Sequence, residues 1–98
     1  MTDGQAATKV YNNEAHSRFE IRVGGQAAFI HYRRDQVRIV FIHTEVPPAL
    51  EGQGIASRLA RAALDFAREN HLKVVPLCPF VSSYIRRHPE YEPLIGKP

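Results

Sequence analysis

Apolar and polar positions alternate from residue 18 to residue 23: Phe19, Ile21 and Val23 fall on one side, and Arg18, Glu20 and Arg22 on the other. A period of two sends successive side chains to opposite faces, so this stretch predicts a strand with one face in water. Gly24-Gly25 follows, a pair suited to a two-residue hairpin turn. Residues 26–33 are apolar on both faces, and the polar group Arg33-Arg34-Asp35-Gln36 predicts a second reversal. An antiparallel meander results. Residues 37–46 form the longest strand candidate, with Val37, Ile39 and Phe41 on one face and Val40, Ile42, Thr44 and Val46 on the other. That pattern predicts a central strand covered on both sides. By the same period His43 and Glu45 continue the face of Ile39 and Phe41, so this face turns ionisable near its end. Either the strand emerges into solvent there, as strand ends often do, or the ionisable end is a reaction face.

Beyond this strand the period changes. Pro47-Pro48 makes a corner, Gly52-Gln53-Gly54 a flexible loop, and residues 55–70 a helix with Ile55, Leu59, Ala62, Ala63 and Phe66 towards a core and Arg58, Arg61, Asp65 and Arg68 towards water. No Ser, Thr, Asp or Asn stands just before Gly52 to cap that helix. Its first backbone N–H groups are therefore free for an anion, and the helix dipole adds about half a positive charge there. Glycines without Cβ atoms let the loop backbone approach a phosphate. Residues 72–78 predict another strand, parallel to the one before the helix because a crossover returns it, with Pro76 loosening the pairing near its end. Pro79 suits the first position of a last helix carrying Phe80, Val81, Tyr84 and Ile85, which must stop by His88 before Pro89. Cys78 sits where that helix begins. The tail from residue 90 has too many prolines for a regular element.

Ninety-eight residues make one domain, here residues 10–98 after a flexible tail over residues 1–9. With 44% apolar and 23% charged residues the composition is that of an ordinary globular protein. No stretch reaches membrane-span length and the N-terminus lacks the regions of a signal peptide, so the expectation is a cytoplasmic protein without a membrane partner. One cysteine can form neither an internal disulfide nor a cysteine-based zinc site, which leaves Cys78 as small apolar packing or as a reactive thiol; no metal is expected. A net charge of +3 favours anionic partners only mildly, and its scattered cations lack the aromatic interleaving of a nucleic-acid surface.

Two phosphate motifs are excluded. There is no Gly-x-x-x-x-Gly-Lys-Ser/Thr, and a dinucleotide fingerprint fails because Ser57 stands at the third glycine position and antiparallel strands come first. The segment Glu51-Gly52-Gln53-Gly54-Ile55-Ala56, in the order strand, glycine loop, helix, strand, helix, resembles instead the acetyl-CoA-binding core of the GNAT acyltransferase superfamily. Its loop pattern is Gln/Arg-x-x-Gly-x-Gly/Ala; Gly54 and Ala56 match, and Glu51 departs. The blocks Pro-Leu-Cys-Pro-Phe-Val at 76–81 and Arg-His-Pro-Glu-Tyr at 87–91 are similar to a subgroup of very small members.

The resemblance implies an α/β fold, in which a meander leads into a central strand, glycine loop, helix, parallel strand and C-terminal helix. It implies acetyl-CoA as co-substrate, with the strand ending at Val46 bonding the pantetheine arm and the amides of Gly52, Gln53, Gly54, Ile55, Ala56 and Ser57 holding the pyrophosphate. Tyr84 would match a helix tyrosine that protonates the departing thiolate. The expected activity is N-acetyl transfer to an unidentified amine, small molecule or protein, by a monomer or weak homodimer. Two routes stay open. Glu45 and His43 could act as general base for direct transfer, or a Cys78 thiolate at a helix N-terminus could take the acyl group first. Larger members carry a helix pair after the first strand, whereas here only two glycines follow Val23, so the acceptor pocket is expected to be open or completed by a partner. A non-catalytic CoA-binding module is the second hypothesis, and nucleic-acid binding a weaker third.

Overall fold

The computed structural model describes residues 9–96, so the tail expected over residues 1–9 lies, apart from Lys9, outside the described residues. Five strands, β1 (Tyr11–Asn13), β2 (Arg18–Val23), β3 (Gln26–Arg34), β4 (Arg38–Glu45) and β5 (Lys73–Pro76), form one sheet in sequence order. All neighbours are antiparallel except β4 and β5, which are joined through helix α1 (Ile55–Glu69). Helix α2 (Pro79–Arg87) follows β5, and a 3-10 stretch spans Pro89–Leu94.

The two reversals form for the reasons their residues give. Val23 pairs with Gln26, so Gly24 and Gly25 alone turn the chain, both at positive φ (55° and 84°) as a primed hairpin turn requires. At the second reversal an Asp35 carboxylate oxygen accepts hydrogen bonds from the amides of Val37 and Arg38 at 2.7 and 2.8 Å. β1 was not foreseen; Tyr11-Asn12-Asn13 is too short to carry a hydrophobic period. It is held from outside itself, by pairing with β2 and by the Tyr32 hydroxyl donating to Asn12 at 2.8 Å.

One irregularity decides where the ionisable residues point. β3 and β4 pair as Phe29↔Glu45, Ile30↔Thr44 and His31↔His43, and then as Tyr32↔Phe41. Ile42 is an extra residue on β4, a β-bulge. Because side chains alternate, an inserted residue exchanges the faces of everything beyond it. The expectation that His43 and Glu45 share the face of Ile39 and Phe41 is thereby corrected: Thr44 takes that face, opposite buried Ile30, and His43 and Glu45 lie on the other with His31 and Phe29.

Both helices pack on the face of Phe19, Ile21, Ala28, Ile30, Tyr32, Ile39 and Phe41, giving a two-layer domain with one core. β4 is therefore covered fully on that side only. Val40 and Ile42, on the other, are half-buried, against the expectation of cover on both sides. The buried stripe of α1 runs through Ile55, Leu59, Ala60, Ala63, Leu64 and Ala67. Ala62 and Phe66, expected in the stripe, are half-buried on its flank, where Phe66 meets Phe19 edge-on at 5.4 Å. β5 ends at Pro76, earlier than expected, because Leu77 turns outward and the Cys78 amide donates to the Phe41 carbonyl at 2.9 Å before α2 begins. The tail is more ordered than its prolines predict. Tyr91 is buried, and Ile95 makes a parallel bridge to Val74 on the outer edge of β5.

Candidate functional site

The glycine loop is built from the corner inward. Pro48–Leu50 forms a single 3-10 turn that buries Leu50, and the Gln53 side-chain amide donates back to the Ala49 carbonyl at 3.2 Å. Gly52 and Gly54 take positive φ, 81° and 73°, a region in which a Cβ is strained. Gly54 is the N-cap of α1 and no side chain caps it. The first helical bond runs from the Arg58 amide to the Gly54 carbonyl, so the amides of Ile55, Ala56 and Ser57 have no helical acceptor. A Cβ built on Gly52 or Gly54 meets no atom within 4 Å. Protein packing therefore does not demand glycine here; the positive φ and the open cradle do. The loop and Val46 line a cleft of about 250 Å³. Backbone donors, a helix N-terminus and room at the backbone form a donor set that fits a phosphate group.

Next to the cradle the sheet comes apart. β4 and β5 pair only from Arg38↔Lys73 to Phe41↔Pro76, while β4 runs on to Glu45 against β3. Two groups of candidates flank this divergence, one on each face. On the helix side Cys78 is the N-cap of α2, 2% exposed, with its sulfur 3.0 Å from the Thr44 hydroxyl. On the other side His43 Nε2 lies 3.2 Å from Glu45 Oε1, both side chains about 60% exposed, and the imidazole packs edge-on against Phe29. The bulge at Ile42 thus splits residues that simple alternation would have put together.

Tyr84 stands apart from both groups. It lies a turn and a half along α2 from Cys78, about 9 Å by helix rise, and its ring stacks on His88 at 4.0 Å and approaches Tyr91 at 6.2 Å. With Arg61, Asp65 and Tyr91 it lines a polar cleft between the helices. Burial raises the Tyr84 phenol above its ordinary pKa, and the Asp65 and Glu90 charges add to this against Arg61 and Arg87.

Two polar groups were missed from the sequence. Glu20, placed in water by alternation, is 0% exposed: Arg18, Arg22 and Asn13 all donate to its carboxylate. Burial alone would raise its pKa, and these hydrogen bonds with the Arg18 charge outweigh burial and lower it. The signal was present, since Arg-x-Glu-x-Arg at a period of two puts both guanidinium groups beside one carboxylate. The second is Tyr91, whose hydroxyl donates to Asp65 at 2.7 Å across 26 residues. No local pattern announces such a pair.

Comparison with known proteins follows the same lines. A family model described as GCN5-related N-acetyl-transferase matches residues 18–94. Protein NATD1 of Mus musculus is 38% identical over 84 residues, covering 83% of this chain and 76% of that protein. Protein NATD1 of Xenopus tropicalis is 31% identical over 90 residues, covering 89% and 83%. A GCN5-like protein from Staphylococcus aureus, solved in solution by NMR, superposes with a TM-score of 0.71 at 28% identity, over 95% of this chain and 92% of that one.

Proposed function

The chain belongs to the GCN5-related N-acetyltransferase family, and from that premise we propose that it transfers an acetyl group from acetyl-CoA to an amine. The observation that carries the reading is the start of α1, where three unpartnered amides and two unobstructed glycines meet in one cleft beside the end of β4. When bound, acetyl-CoA supplies the thioester that the amine attacks. The amides of Ile55, Ala56 and Ser57 hold phosphate oxygens, and Gly52, Gln53 and Gly54 give the backbone its close approach. The β4 edge past Phe41 and up to Val46, which β5 no longer pairs, is left for an extended ligand arm.

His43 and Glu45 are the proposed proton acceptors. With the Nε2–H of His43 donated to Glu45, Nδ1 is the ring nitrogen that takes the amine proton. Tyr84, a phenol that is neutral at ordinary pH, is the remaining candidate for returning a proton to the thiolate, from its place in the cleft between the helices. The geometry favours direct transfer over an acyl-Cys78 step, because Cys78 is buried and engaged by Thr44 while the His43–Glu45 pair is open to an incoming amine.

Calorimetric titration with acetyl-CoA and intact-mass measurement, on wild type, Cys78→Ala and Glu45→Gln, test this reading. Saturable binding is expected, with transfer that survives Cys78→Ala and falls about 100-fold in Glu45→Gln. Failure to bind acetyl-CoA overturns the reading; an acetylated mass that vanishes in Cys78→Ala replaces the direct route with the covalent one. Binding without transfer to any amine reduces the protein to a CoA-binding module.

A further inference from the structure

A chain of contacts crosses the open face of the sheet from a buried carboxylate to an exposed imidazole. Residues in register on neighbouring strands share a face, so Glu20 of β2, Phe29 of β3 and Glu45 of β4 stand in one row, and Arg18, His31 and His43 in the next. Glu20, fully buried, accepts a hydrogen bond from Nε of Arg18. The guanidinium carbon of Arg18 lies 4.4 Å from the centroid of the Phe29 ring. That ring in turn meets the His43 imidazole edge-on, with centroids 6.5 Å apart. A charge-assisted hydrogen bond fixes the guanidinium, and a cation over an aromatic face favours one position of the ring beneath it.

The far end of this chain needs the support. His43 and Glu45 are both about 60% exposed, and a hydrogen bond between two such side chains holds little by itself. Phe29, half-buried, supplies the packed surface against which the imidazole rests. We infer that Arg18 and Phe29 are positioning residues for His43: Glu20 anchors Arg18, Arg18 fixes the Phe29 ring, and the ring keeps the imidazole turned with Nε2 on Glu45 and Nδ1 towards the amine. The catalytic half of this inference rests on the acetyl-transfer reading; the orientation of His43 does not. Aim matters at such a group, because a displacement of about 1 Å can cost about 100-fold in rate. Arg22 supplies an internal comparison. It also donates its Nε to Glu20, at 3.2 Å, but its guanidinium carbon lies 5.9 Å from the ring of Tyr11 on β1, on the side of Glu20 away from His43. If the ion pairs of Glu20 served stability alone, loss of either arginine would act on His43 alike.

The test compares Arg18→Gln, Arg22→Gln, Phe29→Leu and Phe29→Tyr with wild type in the full chain. Without cofactor, the ring-proton NMR resonance of His43, assigned by its disappearance in His43→Gln, should move towards that of a free imidazole side chain in Arg18→Gln and Phe29→Leu. It should stay in place in Arg22→Gln. With acetyl-CoA and free lysine, spermidine or a short lysine peptide as the amine, kcat should fall about tenfold in Arg18→Gln and Phe29→Leu, with KM for acetyl-CoA unchanged. In Arg22→Gln kcat should stay within about twofold of wild type, and Phe29→Tyr, which keeps the ring, should recover both readouts. Equal effects of the two arginine variants on His43, or a resonance that Phe29→Leu does not move, overturn the inference. A moved resonance with unaltered kcat removes the positioning role. Should Arg18→Gln fail to fold, the two Phe29 variants carry the same comparison. A wild-type chain that binds no acetyl-CoA or acetylates no amine loses the transfer reading, and the cofactor-free resonances still decide whether Arg18 and Phe29 hold the imidazole.

Discussion

Glu20 is buried on a face otherwise open to water, and Arg18, Arg22 and Asn13 make that tolerable by donating to its carboxylate. Glu20→Ala should cost about 1–3 kcal/mol in urea unfolding, a range kept low because Arg22 is 66% exposed and water screens its end of the pair. The folded pKa lies below the ordinary 4.5, so this contribution is present above 4.5 and is lost as pH falls through the folded value. Wild type should therefore lose stability in acid more steeply than Glu20→Gln, as parallel melts at neutral pH and near pH 3 would show; parallel curves would contradict the assignment. Tyr91 behaves in the opposite sense. Burial first, and then its hydrogen bond to Asp65, push its pKa up to about 12 from 10.0. Its contribution is complete below 10 and disappears as pH rises through about 12. Tyr91→Phe should lose about 0.5–1.5 kcal/mol below that window and flatten the alkaline limb of the stability profile. Alternation showed which residues neighbour Glu20 on β2, but its burial depends on Asn13 from a strand three residues long, which no local pattern marks.

Elements were legible where local chemistry defines them. Strand β2, the Gly24-Gly25 turn, the uncapped start of α1 and Pro79 at the head of α2 follow from residues a few positions apart. The bulge was not legible, because Val40-Phe41-Ile42 is apolar throughout and nothing in it marks one residue as extra; only the register against β3 exposes it. That one residue decides the site, since it turns Thr44 to the core side beside Cys78 and leaves His43 and Glu45 on the open face. Deleting Ile42 would close the bulge without exchanging faces, because His43 already pairs with His31 next to the Tyr32–Phe41 pair, so His43 and Glu45 would stay on the open face. We expect the deletion variant and Ile42→Ala both to melt cooperatively by circular dichroism; loss of cooperative unfolding in the deletion variant alone would contradict this register. At the loop, the strain of a branched side chain at positive φ makes Gly54→Val cost about 1–2 kcal/mol of stability. Its larger effect should fall on acetyl-CoA, because the open space found around that position is where the phosphate group is proposed to lie.

A domain with helices on one face only has its core on one side of the sheet and an open face, here proposed to receive the acceptor, on the other, and the slot where β4 leaves β5 lies between the two. Nothing in the local pattern of β4 could reveal this; its half-buried Val40 and Ile42 look like core residues in sequence and differ from Ile39 and Phe41 only because no helix packs over them. Bound as proposed, acetyl-CoA would also act as a structural element of the small domain, joining the start of α1 to the diverging ends of β4 and β5. A ligand that binds only the folded state adds RT ln(1 + [L]/Kd), about 2.7 kcal/mol at a hundredfold excess over Kd. For a domain of this size that corresponds to a rise in Tm on the order of 10 °C. The shift should be retained in His43→Ala and Glu45→Gln, which lie on the open face of the sheet, and should disappear in Gly54→Val even after its lower starting Tm is taken into account. If all three variants kept the shift, the binding energy would have to come from somewhere other than the glycine cradle. A shift lost in His43→Ala but kept in Gly54→Val would move the cofactor to the open face and exchange the roles assigned to the two sides of the sheet.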